Sequence, residues 1–351
     1  MKRLKTENPP KVSRVAILLF NLGGPEKPED VQGFLYNLFA DRNIINLPFG
    51  IRQGVASLIS SRRAASARKN YAYMGGGSPI LKETKAQAKA LEAYITENTK
   101  GLEAKVFVGM RYWHPFIEET VQEITAYRPD QIILLPLYPQ FSSTTTLSSF
   151  QGFKSAYKGK ADVKYVCCYS GNDHFIKAHV DSLSRHIKEL KDPGSYRLLF
   201  SAHGLPESII ARGDPYQEQV ESSVAKIMAS LTTEIEHSIC YQSRVGPLKW
   251  IGPSTDDTIR KAGKDGKSII LIPIAFVSEH IETLVELDIE YAHLASECGV
   301  PSYVRVPALG IDETFIKALN DEVLKAIGSK AVIIGDHNCA SCHKFCPKLK
   351  R

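Results

Sequence analysis

The run Ile269-Ile-Leu-Ile-Pro-Ile-Ala-Phe276, continuously apolar over the length of a strand, limits what this chain can fold into more than any other feature. A strand apolar at every position is buried on both faces, which points to a parallel sheet covered by helices on each side. Comparable β-branched runs recur at 14–22, 104–112, 131–139 and 162–170, and again at 196–204, 234–244 and 301–309. Segments with helical periodicity separate most of them, at 29–40, 81–97, 115–127, 173–190, 215–230, 279–295 and 312–327. This alternation predicts an α/β fold of two similar doubly wound domains, each with four parallel strands, meeting at a central cleft. The length of 351 residues also suits two domains. The first is expected over 12–165 and the second over 166–309. Residues 41–80 show no clear strand and are apolar, basic and glycine-rich, so they read as a functional excursion from the first domain. A helix at 310–330 returns to that domain, and 331–351 form a short cysteine-rich tail.

Net charge is +6, with a pI near 8.8. That suits an anionic small molecule or an anionic lipid surface and is too weak to argue for nucleic acid. The start, Met1-Lys-Arg-Leu-Lys-Thr-Glu-Asn-Pro-Pro10, has no apolar core of a secretory signal, and no run of about 18 apolar residues exists. A cytoplasmic protein is expected. Seven cysteines then suggest reduced thiols or metal ligands over a disulfide framework. The stretch Ile51-Arg-Gln-Gly-Val-Ala-Ser-Leu-Ile-Ser-Ser-Arg-Arg63 is apolar with a cationic end. It could lie peripherally on a membrane or form a solvated amphipathic helix.

Ligands of open α/β sheets bind beyond the carboxyl ends of the strands. Those ends carry Asn21-Leu-Gly-Gly-Pro25, Arg111-Tyr-Trp-His114, Tyr138-Pro-Gln140, His203, Tyr241-Gln-Ser-Arg244 and Glu279-His280. After the last of these, Glu282, Glu286 and Glu290 recur every four residues. Like charges at that spacing cost a helix roughly 0.2–0.5 kcal/mol per pair, so a bound cation is one candidate for the offset and a solvated acidic face is the alternative. His203 paired with Glu282 would make a metal ligand set or a proton acceptor, since imidazole with carboxylate suits borderline divalent ions. Cys339-Ala-Ser-Cys342-His-Lys-Phe-Cys346 is a dense thiol cluster that would hold zinc or an iron–sulfur cluster. Its fourth ligand is open among Cys167, Cys168, Cys240, Cys298 and His343.

Taken in order, these motifs resemble those of the ferrochelatases, enzymes that insert iron(II) into a porphyrin to make haem. The resemblance runs from about 14 to 328. It comprises Asn21-Leu-Gly-Gly-Pro25, Gly75-Gly-Gly-Ser-Pro79, Gly109-Met-Arg-Tyr-Trp-His-Pro115, Tyr138-Pro-Gln140, Ser201-Ala-His203 and Gln242-Ser-Arg-Val-Gly-Pro247. Trp250-Ile-Gly-Pro253 and Ser278-Glu-His-Ile-Glu-Thr-Leu284 complete it. The resemblance implies two Rossmann-like domains of the chelatase type around a porphyrin cleft, and a lyase acting on protoporphyrin IX and iron(II). His203 would bind metal or take pyrrole protons, with Glu282 as its acidic partner. His280, Glu286 and Glu290 would line an acidic path. Arg63, Tyr71 and Ser78 would lie near the propionates. Arg111, Tyr112 and Trp250 would line the pocket, and Leu22 the porphyrin face. Some relatives that use coproporphyrin carry tyrosine at that last position, so leucine tilts the expectation toward protoporphyrin IX.

Some members of the family hold a 2Fe–2S cluster through three tail cysteines, which Cys339, Cys342 and Cys346 resemble. The animal enzymes place four residues between the last two cysteines, where this chain has three, and their fourth ligand falls where this chain has Ser143. A cluster is expected with its fourth ligand unassigned, and a homodimer is left open. The competing functions are a coproporphyrin chelatase, a cobalt or nickel tetrapyrrole chelatase, and a bilobal tetrapyrrole-binding or iron–sulfur protein without chemistry.

Overall fold

The computed structural model describes residues 13–244, 246–336, 339–341 and 343–349. The chain begins with β1 (Ser13–Asn21), α1 (Val31–Phe39), α2 (Ile51–Ala72), α3 (Ile80–Asn98), β2 (Leu102–Met110), α4 (Ile117–Tyr127), β3 (Gln131–Pro136) and α5 (Thr146–Ala156). It continues through β4 (Asp162–Cys168), α6 (Asp173–Lys188), β5 (Tyr196–His203), α7 (Glu207–Ala211), α8 (Tyr216–Ser230), β6 (Glu236–Gln242) and α9 (Thr255–Lys264). Then come β7 (Ser268–Pro273), a π-helix (Glu282–Glu290), α10 (Tyr291–Glu297), β8 (Tyr303–Arg305), α11 (Glu313–Gly328) and β9 (Ile333–Gly335).

Two parallel sheets result, ordered β2-β1-β3-β4-β9 and β6-β5-β7-β8. Alternation along a strand sorts its residues onto two faces. Val15, Ile17 and Leu19 of β1 face α3, α6 and α11, whereas Ala16, Leu18 and Phe20 face α4 and α5. The first of these faces shares one continuous core with Leu198 and Phe200 of β5 and Ile270 and Ile272 of β7. Leu199, Ile269 and Leu271 pack on the outer side against α9, α10 and Leu287. Each sheet reverses its winding beside its first strand: β1 lies between β2 and β3, and β5 between β6 and β7. The tips of β1 and β5 are therefore the two switch points, where crevices open and ligands bind.

Several elements differ from the sequence reading. The strand expected at 301–309 shortens to Tyr303–Arg305, because Pro301 and Pro307 bracket it and lack ladder donors. The strandless 41–80 segment carries the 22-residue α2. α5 and α9 were not foreseen, and β4 runs past 165 to Cys168 within the first sheet. Part of the tail is structural: β9 pairs in parallel with β4 as a fifth strand. The helix expected over 279–295 is a π-helix that becomes α-helical only from Tyr291. π-turns widen a helix and concentrate at functional sites.

Candidate active site

His203 is the last residue of β5 and Glu282 the first of the π-helix, and His203 Nδ1 lies 2.8 Å from a Glu282 carboxylate oxygen. The His203 side chain is 39% exposed and that of Glu282 19%, so the pair opens to solvent. Gly204 allows the strand tip to close on β6: its N–H donates to the Gln242 carbonyl at 2.8 Å, and an added Cβ would meet that oxygen at 2.9 Å. Burial opposes charge on His203, but the Glu282 carboxylate, with Glu286 behind it, holds the imidazole above its ordinary value. Burial also opposes charge on Glu282, yet His203 and then His280 hold its carboxyl down at about 2. The two side chains thus favour each other's charged forms.

His280 differs. Burial keeps its imidazole below the ordinary value despite Glu282 and Glu279, its buried Nδ1 has no hydrogen-bond partner among the described residues, and its ring lies 4.8 Å from Phe276. Glu286 is raised by burial and by the Glu282 charge. Its two oxygens accept from Ser243 N at 2.8 Å, Ser243 Oγ at 2.5 Å, Gln242 Nε2 at 2.9 Å and Tyr291 Oη at 3.2 Å. Glu290 lies farther out, 3.4 Å from Asn70 Nδ2 of α2. The carboxylate repulsion expected from the sequence is met mostly by protein donors. Among the described residues, no three His, Cys, Asp or Glu side chains form a metal-ligand set. His203 and Glu282 are a two-ligand site at most, which suits a metal in transit.

The first domain supplies the apolar wall. Leu22 follows β1, Tyr71 sits in the last turn of α2 and Tyr112 follows β2; all three join one apolar cluster with Ile281, the residue before Glu282. Burial, then the Glu282 charge, pushes the buried Tyr71 phenol upward. The domains are pinned here by polar contacts. Asn21 donates to Ser278 at 3.5 Å, Ser278 to Gln87 at 2.8 Å, and Gln87 to the Val277 and Gly310 carbonyls at 2.8 and 3.0 Å. Trp250 lies beside the strand tip, bridging to Pro206, with its buried indole N–H unpaired.

Other expected residues lie apart from the pair. Arg63 is exposed, its guanidinium 5.9 Å from the Phe39 ring. Ser78 is tied through its amide to the Pro25 carbonyl at 2.7 Å. Arg111 is engaged by Asp41 at 2.8 Å and Ser148 at 2.6 Å, and Tyr112 Oη donates to Asp41 at 2.9 Å. Asp41 is 7% exposed and lines a cavity of about 230 Å³ with Arg111 and Tyr112. A lone aspartate after an apolar helix carried no signal in the sequence, nor did the clamp of Arg305 on Glu279 and Asp288, each at 2.5 Å.

In the tail, Cys339 contacts Cys346 and accepts from Gln219 Nε2 at 3.4 Å; Cys342 lies outside the described residues. The contact with Cys346, then burial, pushes the Cys339 thiol upward, with a further contribution from Cys168. Cys168 and Cys167 end β4 with their sulfurs 3.5 Å apart. Cys240 and Cys298 belong instead to the outer core of the second sheet, and His343 bonds to Glu218.

The ferrochelatase family model matches residues 14–327. A ferrochelatase of Caulobacter vibrioides is 52% identical over 338 residues, covering 95% of this chain and 97% of that one. The ferrochelatase of Phenylobacterium zucineum is 50% identical over 334 residues, with coverage of 95% and 97%. Among solved structures, SirB from Bacillus subtilis with Fe3+ superposes with a TM-score of 0.54 at 14% identity, covering 90% of this chain and 96% of that one. That likeness concerns the fold alone and agrees with two parallel α/β sheets. With the family model spanning most of its length and relatives half identical along nearly all of it, the chain belongs to the ferrochelatase family.

Proposed function

We propose that the chain inserts iron(II) into protoporphyrin IX to form protohaem. Family membership supports the reaction, and one observation carries the mechanism: His203 at the tip of β5 and Glu282 at the start of the π-helix, in contact beside an apolar wall contributed largely by the other domain. A free porphyrin is planar and its two pyrrole N–H groups block the centre. Metal insertion therefore needs a bent ring and two protons removed, one for each charge that iron(II) brings. Leu22 and Ile281, half-buried over Tyr71 and Tyr112, offer apolar surface whose burial offsets ring strain. His203 in its neutral form accepts the pyrrole protons one after the other, releasing each to solvent from its exposed side chain, and Glu282 stabilises the imidazolium formed each time. While His203 is neutral, it and Glu282 would hold the entering iron loosely. Leu22, apolar at the ring face, favours protoporphyrin IX over more polar porphyrins.

The test is the visible absorption spectrum of anaerobic protein before and after iron(II) and protoporphyrin are added. Haem bands are expected, with slower turnover on coproporphyrin and with cobalt(II) or nickel(II). Tight porphyrin binding without metallation of any kind would sink the reading in favour of a binding protein.

A 2Fe–2S cluster would be held through the tail thiols Cys339, Cys342 and Cys346, with its fourth ligand unassigned, because no three ligating side chains converge among the described residues. When bound, such a cluster would supply a one-electron centre. Peripheral membrane contact is supported by Phe49, Ile51 and Leu58, which are 80%, 61% and 51% exposed beside Arg42 and Arg52. Co-sedimentation with anionic vesicles should be lost in Phe49→Ser. Binding to a second copy instead would appear as a concentration-dependent dimer without vesicles. No helix among the described residues is long and apolar enough to cross a membrane.

A further inference from the structure

Gln242 has no assigned part in the chemistry above, yet it is fully buried at the centre of the site. It closes β6 in register with His203, so the two side chains leave the sheet on the same face. All of its amide atoms are used. Oε1 accepts from Ser201 Oγ at 2.8 Å, and Nε2 donates to the Glu282 carbonyl at 3.0 Å and to Glu286 at 2.9 Å. Ser201 lies two residues before His203 on β5, while Glu282 and Glu286 are successive contacts along the π-helix. A carbonyl and a carboxylate can only accept, and Ser201 donates, so the amide is held in one orientation.

The next residue strengthens the tie. Ser243 adopts φ 61°, left-handed and unfavourable for a serine, and both its N–H and its hydroxyl go to Glu286. With four donors on its two oxygens, Glu286 is suited to bracing rather than relaying protons.

We propose that Gln242 is a positioning residue, which fixes Glu282 against His203 by tying the β5 tip to the first turn of the π-helix, with Glu286 as the second half of the brace. The inference rests on the functional reading for its kinetic consequences but not for its geometry.

The test compares wild type with Gln242→Met, similar in length but unable to bond, and Gln242→Glu, similar in shape but placing an acceptor where Nε2 donates. The first readout is the 15N shift of the His203 imidazole, assigned through its loss in His203→Asn; it needs neither metal nor porphyrin. In both variants Nδ1 should move toward an unbonded nitrogen. The second readout is kinetic: kcat should fall about 100-fold, the order expected for an ångström-scale misplacement, with the porphyrin KM unchanged. A folded Gln242→Met with wild-type nitrogen shifts and wild-type kcat would overturn the proposal. Should that variant fail to fold, Ser201→Ala removes the bond to Oε1 alone and must give the same changes in direction. A wild-type protein that metallates no porphyrin would sink the functional reading, while the nitrogen shift still decides on Gln242.

Discussion

At the scale of the residue, the site depends on two side chains that shift each other's protonation in opposite directions. Glu282 is held at about 2 against an ordinary 4.5, so its contribution to stability is present above pH 4.5 and is lost as pH falls toward 2. His203 is held above its ordinary 6.5, so its contribution is complete below pH 6.5 and is lost as pH rises through its folded value. The pair should therefore stabilise most between about pH 4.5 and 6.5, and Glu282→Gln should flatten that pH dependence in urea unfolding. The acidic limb of kcat/KM should lie above 6.5 and move down in Glu282→Gln, because the imidazole must be neutral to act as base. That variant should lose about 100-fold in kcat while staying folded. His203→Ala should abolish metallation yet leave porphyrin fluorescence quenching intact. Both residues stood out in the sequence because histidine and glutamate after strand-like runs announce chemistry. Asp41 did not, and Gln242 showed only as part of a strand-end motif with no role of its own, since a buried partner is defined by what surrounds it.

At the scale of the element, the π-helix is held from both sides. Arg305 of β8 pairs with Glu279 before it and Asp288 within it, and Gln242 and Ser243 hold its inner face. The Arg305 side chain is only 10% exposed, so Arg305→Met leaves carboxylates unpaired and should cost about 3 kcal/mol in urea unfolding. Insertion activity should fall too, since Glu282 starts that helix. Helix α9 offers a simpler case. Ser254 Oγ accepts from Asp257 N at 3.0 Å, a side-chain N-cap, and Ser254→Ala should cost about 1 kcal/mol with little change in kcat. The sequence showed 279–295 as helical, because its apolar and acidic residues repeat at helical spacing. A π-turn follows no such periodicity, as it arises where side chains of one helix must reach two neighbouring strand tips.

At the scale of the whole molecule, one core joins the inner faces of both sheets, so the cleft walls belong to a single packed body. The tail is part of it, for β9 completes the first sheet beside the Cys167–Cys168 end of β4. Deleting 331–351 should lower thermal stability and remove any iron–sulfur absorption together.

Two doubly wound sheets, the placement of His203 at a strand end with Glu282 in the segment after another, and the spacing of the tail thiols followed from the chain's order alone, because burial on two faces and strand polarity are encoded in local pattern. The ion pair's geometry, the saturation of Glu286, the capture of Arg111 by Asp41 and the contact of Cys339 with Cys346 were decided only in three dimensions. All but the last join residues from distant elements, and their meeting depends on sheet register and helix packing that no local pattern specifies.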